Sequence, residues 1–166
     1  MSGLKIDATL LECVIRGTVE GISMTGIVPE PVGASRLMSA QRDLSVLVSL
    51  QGNRNGTMTI NLSTWTACFL AGRLMGEEGQ PELSEDTLDA ICEIGNMVAG
   101  RFKDILHGTE YEFSTISLPA LIAGANYNLY HTRNIVTAAV EFEISEISVV
   151  KMKDRFFSCS VSLMRK

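Results

Sequence analysis

One helical pattern between Ser84 and Gly108 limits what this chain can fold into more than any other stretch. Read at 100° per residue, Leu88, Ile91, Cys92, Val98, Ala99, Phe102, Ile105 and Leu106 fall on one broad side. So wide an apolar side has to be buried against a second layer. Asp89, Glu93, Asn96, Gly100, Lys103 and His107, spaced 4, 3, 4, 3 and 4, line the opposite side. A solvated face needs polar groups, but it does not need a Glu and an Asn one turn apart with Gly100 beside them. A carboxylate, a carboxamide and open space above the backbone could hold a water against an incoming phosphoryl group.

The flanking residues supply what that helix must pack on. Ser84 reads as its N-cap, Glu85 and Asp86 suit the positive end of the helix dipole, and Gly108 ends it. A first long helix is expected over residues 5–26 and ends at VPEPVG (28–33), where two prolines cannot continue it. Leu44, Val46, Val48 and Leu50 alternate with polar or small neighbours, as do Met58, Ile60 and Leu62. Between these strands Asn55-Gly56 is expected to turn the chain with positive φ. A short helix over 63–75, capped by Ser63 or Thr64, should stop at Gly76, and 77–83 reads as a polar loop. A strand near 111–117 leads to Pro119, and 120–128 reads as a loop. Two further strands follow, from Val136 to Ile144 and from Phe157 to Leu163. The expected fold is one α+β domain over residues 1–166, a mostly antiparallel sheet covered by two long helices and one short one.

Composition removes several function classes. With 166 residues, 46% of them hydrophobic, the chain can build one core. A net charge of −5 argues against nucleic acid, whose binders present basic faces. No apolar run reaches the roughly 20 residues of a membrane span, so no membrane partner is expected. Lys5, Asp7, Glu12 and Arg16 interrupt the first segment, which therefore does not read as a signal peptide, and a cytoplasmic location is expected. Cys13, Cys68, Cys92 and Cys159 are scattered without C-x-x-C spacing, so buried reduced thiols are expected, with no metal site. There is no G-x-S-x-G elbow and no phosphate-binding glycine loop. His107 reads as a helix-end residue, His131 as a loop or strand-start residue, Trp65 as a packed anchor and the methionines as core filler.

Setting Glu12 on Glu93 aligns LLECVIRG (10–17) with ICEIGNMV (91–98). Both segments open helices followed by paired strands, which is compatible with an internal pseudo-duplication. Ile15 stands where the second copy has Asn96, so only the second copy carries the polar pair.

The pattern Asp89-x-x-x-Glu93-x-x-Asn96, then 22 residues, then Pro119, resembles the signature of the CheC/CheX/FliY family of chemotaxis phosphatases. The string E-I-G-N followed by Ala99-Gly100 carries the likeness. Ile15 makes the chain most similar to the single-site CheX branch. The resemblance implies hydrolysis of the aspartyl phosphate of a CheY-like response-regulator receiver. Asn96 would position the attacking water, and Glu93 would pair with a receiver lysine. Asp89, Gly100 and Pro119 would support the site or receive the partner. It also implies no cofactor of its own, Mg²⁺ on the partner receiver, and a homodimer joined at sheet edges. The rival reading is a non-catalytic binding module like those of the flagellar switch. A third, a small-ligand domain built on residues 119–134, lacks a convergent polar cluster.

Overall fold

A computed structural model describes residues 5–79, 81–130 and 134–165. Asp7 starts the first helix, α1 (Ala8–Ile22), by accepting the Leu10 N–H at 3.0 Å. One tighter turn, Ser23–Thr25, follows, so the helix is shorter at both ends than the 5–26 expected. Next come β1 (Glu30–Ser35), β2 (Leu44–Gly52) and β3 (Gly56–Leu62), and then α2 (Thr64–Met75). Ser63 caps α2, and Gly76 ends it in the left-handed region at φ 69°, as its sequence demands. The long helix α3 (Glu85–Leu106) opens on a reciprocal cap. The Ser84 hydroxyl accepts the Thr87 N–H, and the Thr87 hydroxyl accepts the Ser84 N–H. Then follow β4 (Phe113–Ile116), β5 (Ala120–Ala123), β6 (Ile135–Glu143), a short turn of helix α4 (Met152–Arg155) and β7 (Phe156–Met164).

The strands form one antiparallel sheet in the order β1-β6-β7-β3-β2-β4, with β5 also paired to β2. Alternation sorts its two faces. Val46, Val48, Met58, Ile60, Val140, Phe142, Phe157 and Val161 point beneath the helices and are buried with α1, α2 and α3. Opposite them lies a face of small polar groups, including Thr59, Ser160 and Ser162. The α+β arrangement expected from the alternation is the one that forms.

Two local expectations need correction, and one strand stands where none was expected. Residues 30–35 form a strand despite Pro31, because β1 lies on the sheet edge, where the pairing with β6 is irregular between Pro31 and Gly33. Residues 120–123 are a strand rather than a loop, paired along β2 from Leu44 to Leu47. The β2–β3 turn forms, but neither Asn55 nor Gly56 takes positive φ. Gly56 is small for another reason: a Cβ there would stand 1.9 Å from the Ser162 carbonyl oxygen of β7. The expectation for His131 lies outside the described residues.

The topology has an internal pseudo-twofold. Exchanging β2 with β6, β3 with β7, and β1 with the β4/β5 pair reverses the sheet order onto itself. Helices α1 and α3 pack against each other and exchange under the same operation. Gly17 faces Phe102, and Gly21 faces the backbone of Val98. Gly17 and Val98, like Gly21 and Phe102, lie 81 positions apart, the offset that sets Glu12 on Glu93. The two contacts are therefore copies of one another under the exchange.

Candidate functional site

The middle of α3 rests on β2, which decides which of its sides meets solvent. Buried positions are Thr87, Ala90, Ile91, Ile94, Gly95, Val98, Ala99, Phe102 and Leu106. The apolar stripe is therefore rotated slightly from the one read in sequence. Ile94 and Gly95 lie inside it, and Cys92, expected there, is half-buried at its margin. That rotation leaves Asp89 and Glu93 exposed and Asn96 and Gly100 half-buried, all on the outward side. Three residues apart on a helix, Glu93 and Asn96 have Cβ atoms about 5–6 Å apart. Among the described residues neither side chain has a hydrogen-bond or ion-pair partner, so both are free to engage another molecule.

Pro119, in the loop between β4 and β5, belongs to the same place. Its Cβ lies 3.9 Å from where a Cβ on Gly95 would stand. Gly95, to which the sequence reading assigns no role, is what lets the layers meet. A side chain there would strike Val46 Cγ1 at 2.7 Å. Its signal was its place between Glu93 and Asn96 on the inward side of the helix. Leu118 precedes Pro119 and is 89% exposed, an apolar group beside the two polar ones. Gly100 has the opposite environment to Gly95: a Cβ there would meet nothing within 4 Å. Nothing inside the chain requires a glycine at 100.

The remaining candidates are not brought to this place. His107 lies eleven residues beyond Asn96, roughly 16 Å along the axis, with Nδ1 2.7 Å from Glu112 Oε1. In the first copy Glu12 is paired with Arg16 at 3.3 Å, and Ile15 packs against the core. Burial pushes the Cys13, Cys68 and Cys159 thiols up, and burial followed by the Asp89 carboxylate does the same to Cys92. All four are free thiols held in their protonated form. Among the described residues no group of three His, Cys, Asp or Glu could hold a metal ion. No helix among them is long and apolar enough to cross a membrane. Trp65 stacks on Phe69 with ring centroids 5.5 Å apart and takes Lys151 over its face at 4.8 Å.

What the outward face can do is limited by these groups: an acid for charge pairing, a non-titrating amide, and a backbone left bare at Gly100. Residues 44–143, more than half of the chain, match the family model described as chemotaxis phosphatase CheX. In architecture the chain is similar to a CheX chemotaxis protein from Desulfovibrio desulfuricans (22% identity, 93% of this chain and 98% of that one, TM-score 0.75). It is also similar to CheX from Vibrio vulnificus (20% identity, 94% and 99%, TM-score 0.76). A third likeness is to CheX from Borrelia burgdorferi, solved as a complex with CheY, BeF3 and Mg²⁺ (23% identity, 97% and 100%, TM-score 0.72). No curated protein matches the chain in sequence.

Proposed function

The chain belongs to the chemotaxis phosphatase CheX family, and we propose that it hydrolyses the aspartyl phosphate of a CheY-like receiver, with Glu93 and Asn96 as its working residues. The observation that carries this is the pair itself: both side chains stand on the outward side of a helix fixed from beneath, without partners among the described residues. The Borrelia neighbour, solved with CheY and Mg²⁺, supports a receiver as the partner and the metal as the receiver's. Such a reaction takes place in the cytoplasm, where receivers act.

Phosphoryl transfer asks a protein mainly for positioning and charge stabilisation. An acyl phosphate is already reactive, so the enzyme needs no strong base; orienting the water supplies much of the gain. The Asn96 carboxamide offers a donor and an acceptor and carries no proton to lose, so it can hold a water in line with phosphorus. Glu93, one turn earlier and exposed, pairs with a receiver lysine and sets the approach. Asp89 adds a second negative charge at the entry, and Pro119 stiffens the loop that faces the helix.

The deciding assay mixes the protein with a phosphorylated CheY-like receiver and Mg²⁺ and follows phosphate release. Shortening of the phosphoryl lifetime by the wild type is the expected result. An unchanged lifetime with retained binding would assign the chain to the docking modules instead. Glu93→Ala should raise the receiver concentration needed for half-maximal rate by roughly tenfold or more, since it removes one side of an interfacial charge pair. Added salt should weaken the wild type more than the variant.

Gly100→Leu separates the fold from the interface. A Cβ there meets nothing within 4 Å, and glycine inside a helix costs about 1 kcal/mol relative to a good helix former. The variant should melt at the same temperature or higher, yet bind the receiver more weakly. Unchanged receiver binding would remove Gly100 from the interface. The exposed edge strand β1, with six exposed residues, suits the homodimer joined at sheet edges. Sedimentation of the wild type beside Val32→Pro, which removes an edge N–H, checks it: a shift toward monomer is expected.

A further inference from the structure

An open groove of about 910 Å³ lies at one end of the sheet, where the start of α1, the β2–β3 turn, the start of β6 and the end of β7 converge. None of its lining residues belongs to the Glu93–Asn96 face. Its size is that of a small-molecule site. Its charge runs against the rest of the molecule. The side chains of Lys5, Arg36 and Arg165 line it with no hydrogen-bond or ion-pair partner among the described residues, in a chain whose net charge is −5. The two acids present are already engaged. Asp7 accepts the Leu10 N–H and the Tyr111 hydroxyl at 3.0 and 2.8 Å, and Glu110 accepts Arg54 Nη2 at 2.7 Å.

Arg54 is the second, independent observation. It is 6% exposed, lies over the Tyr111 ring at 4.9 Å, and donates from Nη1 to the Met164 carbonyl at 3.1 Å. Its Nε is buried and has no acceptor. With its Nη atoms spent on Met164 and Glu110, Arg54 adds a fixed positive charge to the groove wall rather than a free donor. The α1 N-terminus adds its partial positive charge on the same wall. Leu37, 76% exposed, and Ile135 supply an apolar side.

We propose that this groove binds a small polyanion, a molecule carrying two or more phosphate or carboxylate charges, held by Arg36, Arg165 and Lys5 over the Arg54–Tyr111 stack. The site is separate from the receiver face, so it gives the chain a ligand of its own whatever the receiver chemistry. The test is calorimetric titration of the full chain with pyrophosphate and ADP in one arm and citrate in the other. A double variant, Arg36→Glu with Arg165→Glu, is titrated beside the wild type. Both arginines are exposed and their side chains are unpaired within the described chain, so the variant should keep the wild-type melting temperature and receiver phosphatase rate. The expected result is saturable binding in one arm, weakened roughly tenfold or more by the double reversal and weakened again by added salt. Tighter binding of the phosphate arm names a phosphorylated ligand, and tighter binding of citrate a polycarboxylate. Absence of saturable binding in both arms, or binding that the double variant retains, overturns the proposal.

Discussion

Asn96→Ala should slow the hydrolysis of a bound, phosphorylated receiver by roughly 10²–10³, while receiver affinity and folding stability stay close to wild type. The asymmetry follows from where the side chain stands. Asn96 is half-buried on the outward side of α3 and makes no hydrogen bond to the described chain, so its removal breaks nothing inside the molecule. Alanine is also the better helix former, so stability should change by no more than about 0.5 kcal/mol. The amide's contribution lies in the transition state, where it orients a water that otherwise samples many directions. Asn96→Asp sharpens the test. It keeps the shape but loses the N–H donors and brings a negative charge toward a developing metaphosphate, so it should be at least as slow as the alanine variant. Single-turnover decay of the phosphorylated receiver gives the rate, and calorimetric titration gives the affinity. Equal shortening of the phosphoryl lifetime by wild type and both variants would show that another group holds the water.

The outward placement of Glu93 and Asn96 could be read from sequence because α3 is long and its periodicity strong. A 22-residue helix with one apolar side has little freedom about which side faces outward. The small error in that reading, Cys92 placed inside and Ile94 left out, reflects a sheet that touches the helix off the centre of its apolar stripe. The strands β2, β3, β6 and β7 were equally legible, since alternation survives wherever one face is buried and the other is not. β1 and β5 were not. Both lie at or near sheet edges, carry proline or small residues, and have exposed or half-exposed positions, so burial imposes no alternation on them. Gly56 and Gly95 show a second limit. Their smallness is dictated by the Ser162 carbonyl and the Val46 side chain, partners remote in sequence that no local pattern announces. The groove around Arg54 was hidden for the same reason, because its walls come from six separate segments.

Phe102→Ala should be the most damaging single change to stability, at about 3–5 kcal/mol, because the ring is fully buried between α3 and α1. Its neighbour makes the prediction sharper. A Cβ on Gly17 would stand 2.3 Å from Phe102 Cδ1 and 2.7 Å from Cε1, so Gly17→Ala alone should cost about 1–3 kcal/mol by overpacking. Once the ring is gone, the same methyl group enters the space it vacated. Alanine also replaces glycine inside a helix, a change worth about 1 kcal/mol in its favour. Gly17→Ala should therefore destabilise the wild type and stabilise the Phe102→Ala variant, a reversal of sign readable as opposite shifts in the urea midpoint. Two effects that simply add would mean that α1 and α3 do not meet at this pair. The reversal bears on function too, because Phe102 lies on the buried side of the helix that carries Glu93 and Asn96 outward. Below its lowered melting temperature the Phe102→Ala, Gly17→Ala double variant should process phosphorylated receiver at nearly the wild-type rate. The helix then needs only to remain docked for its outward face to work.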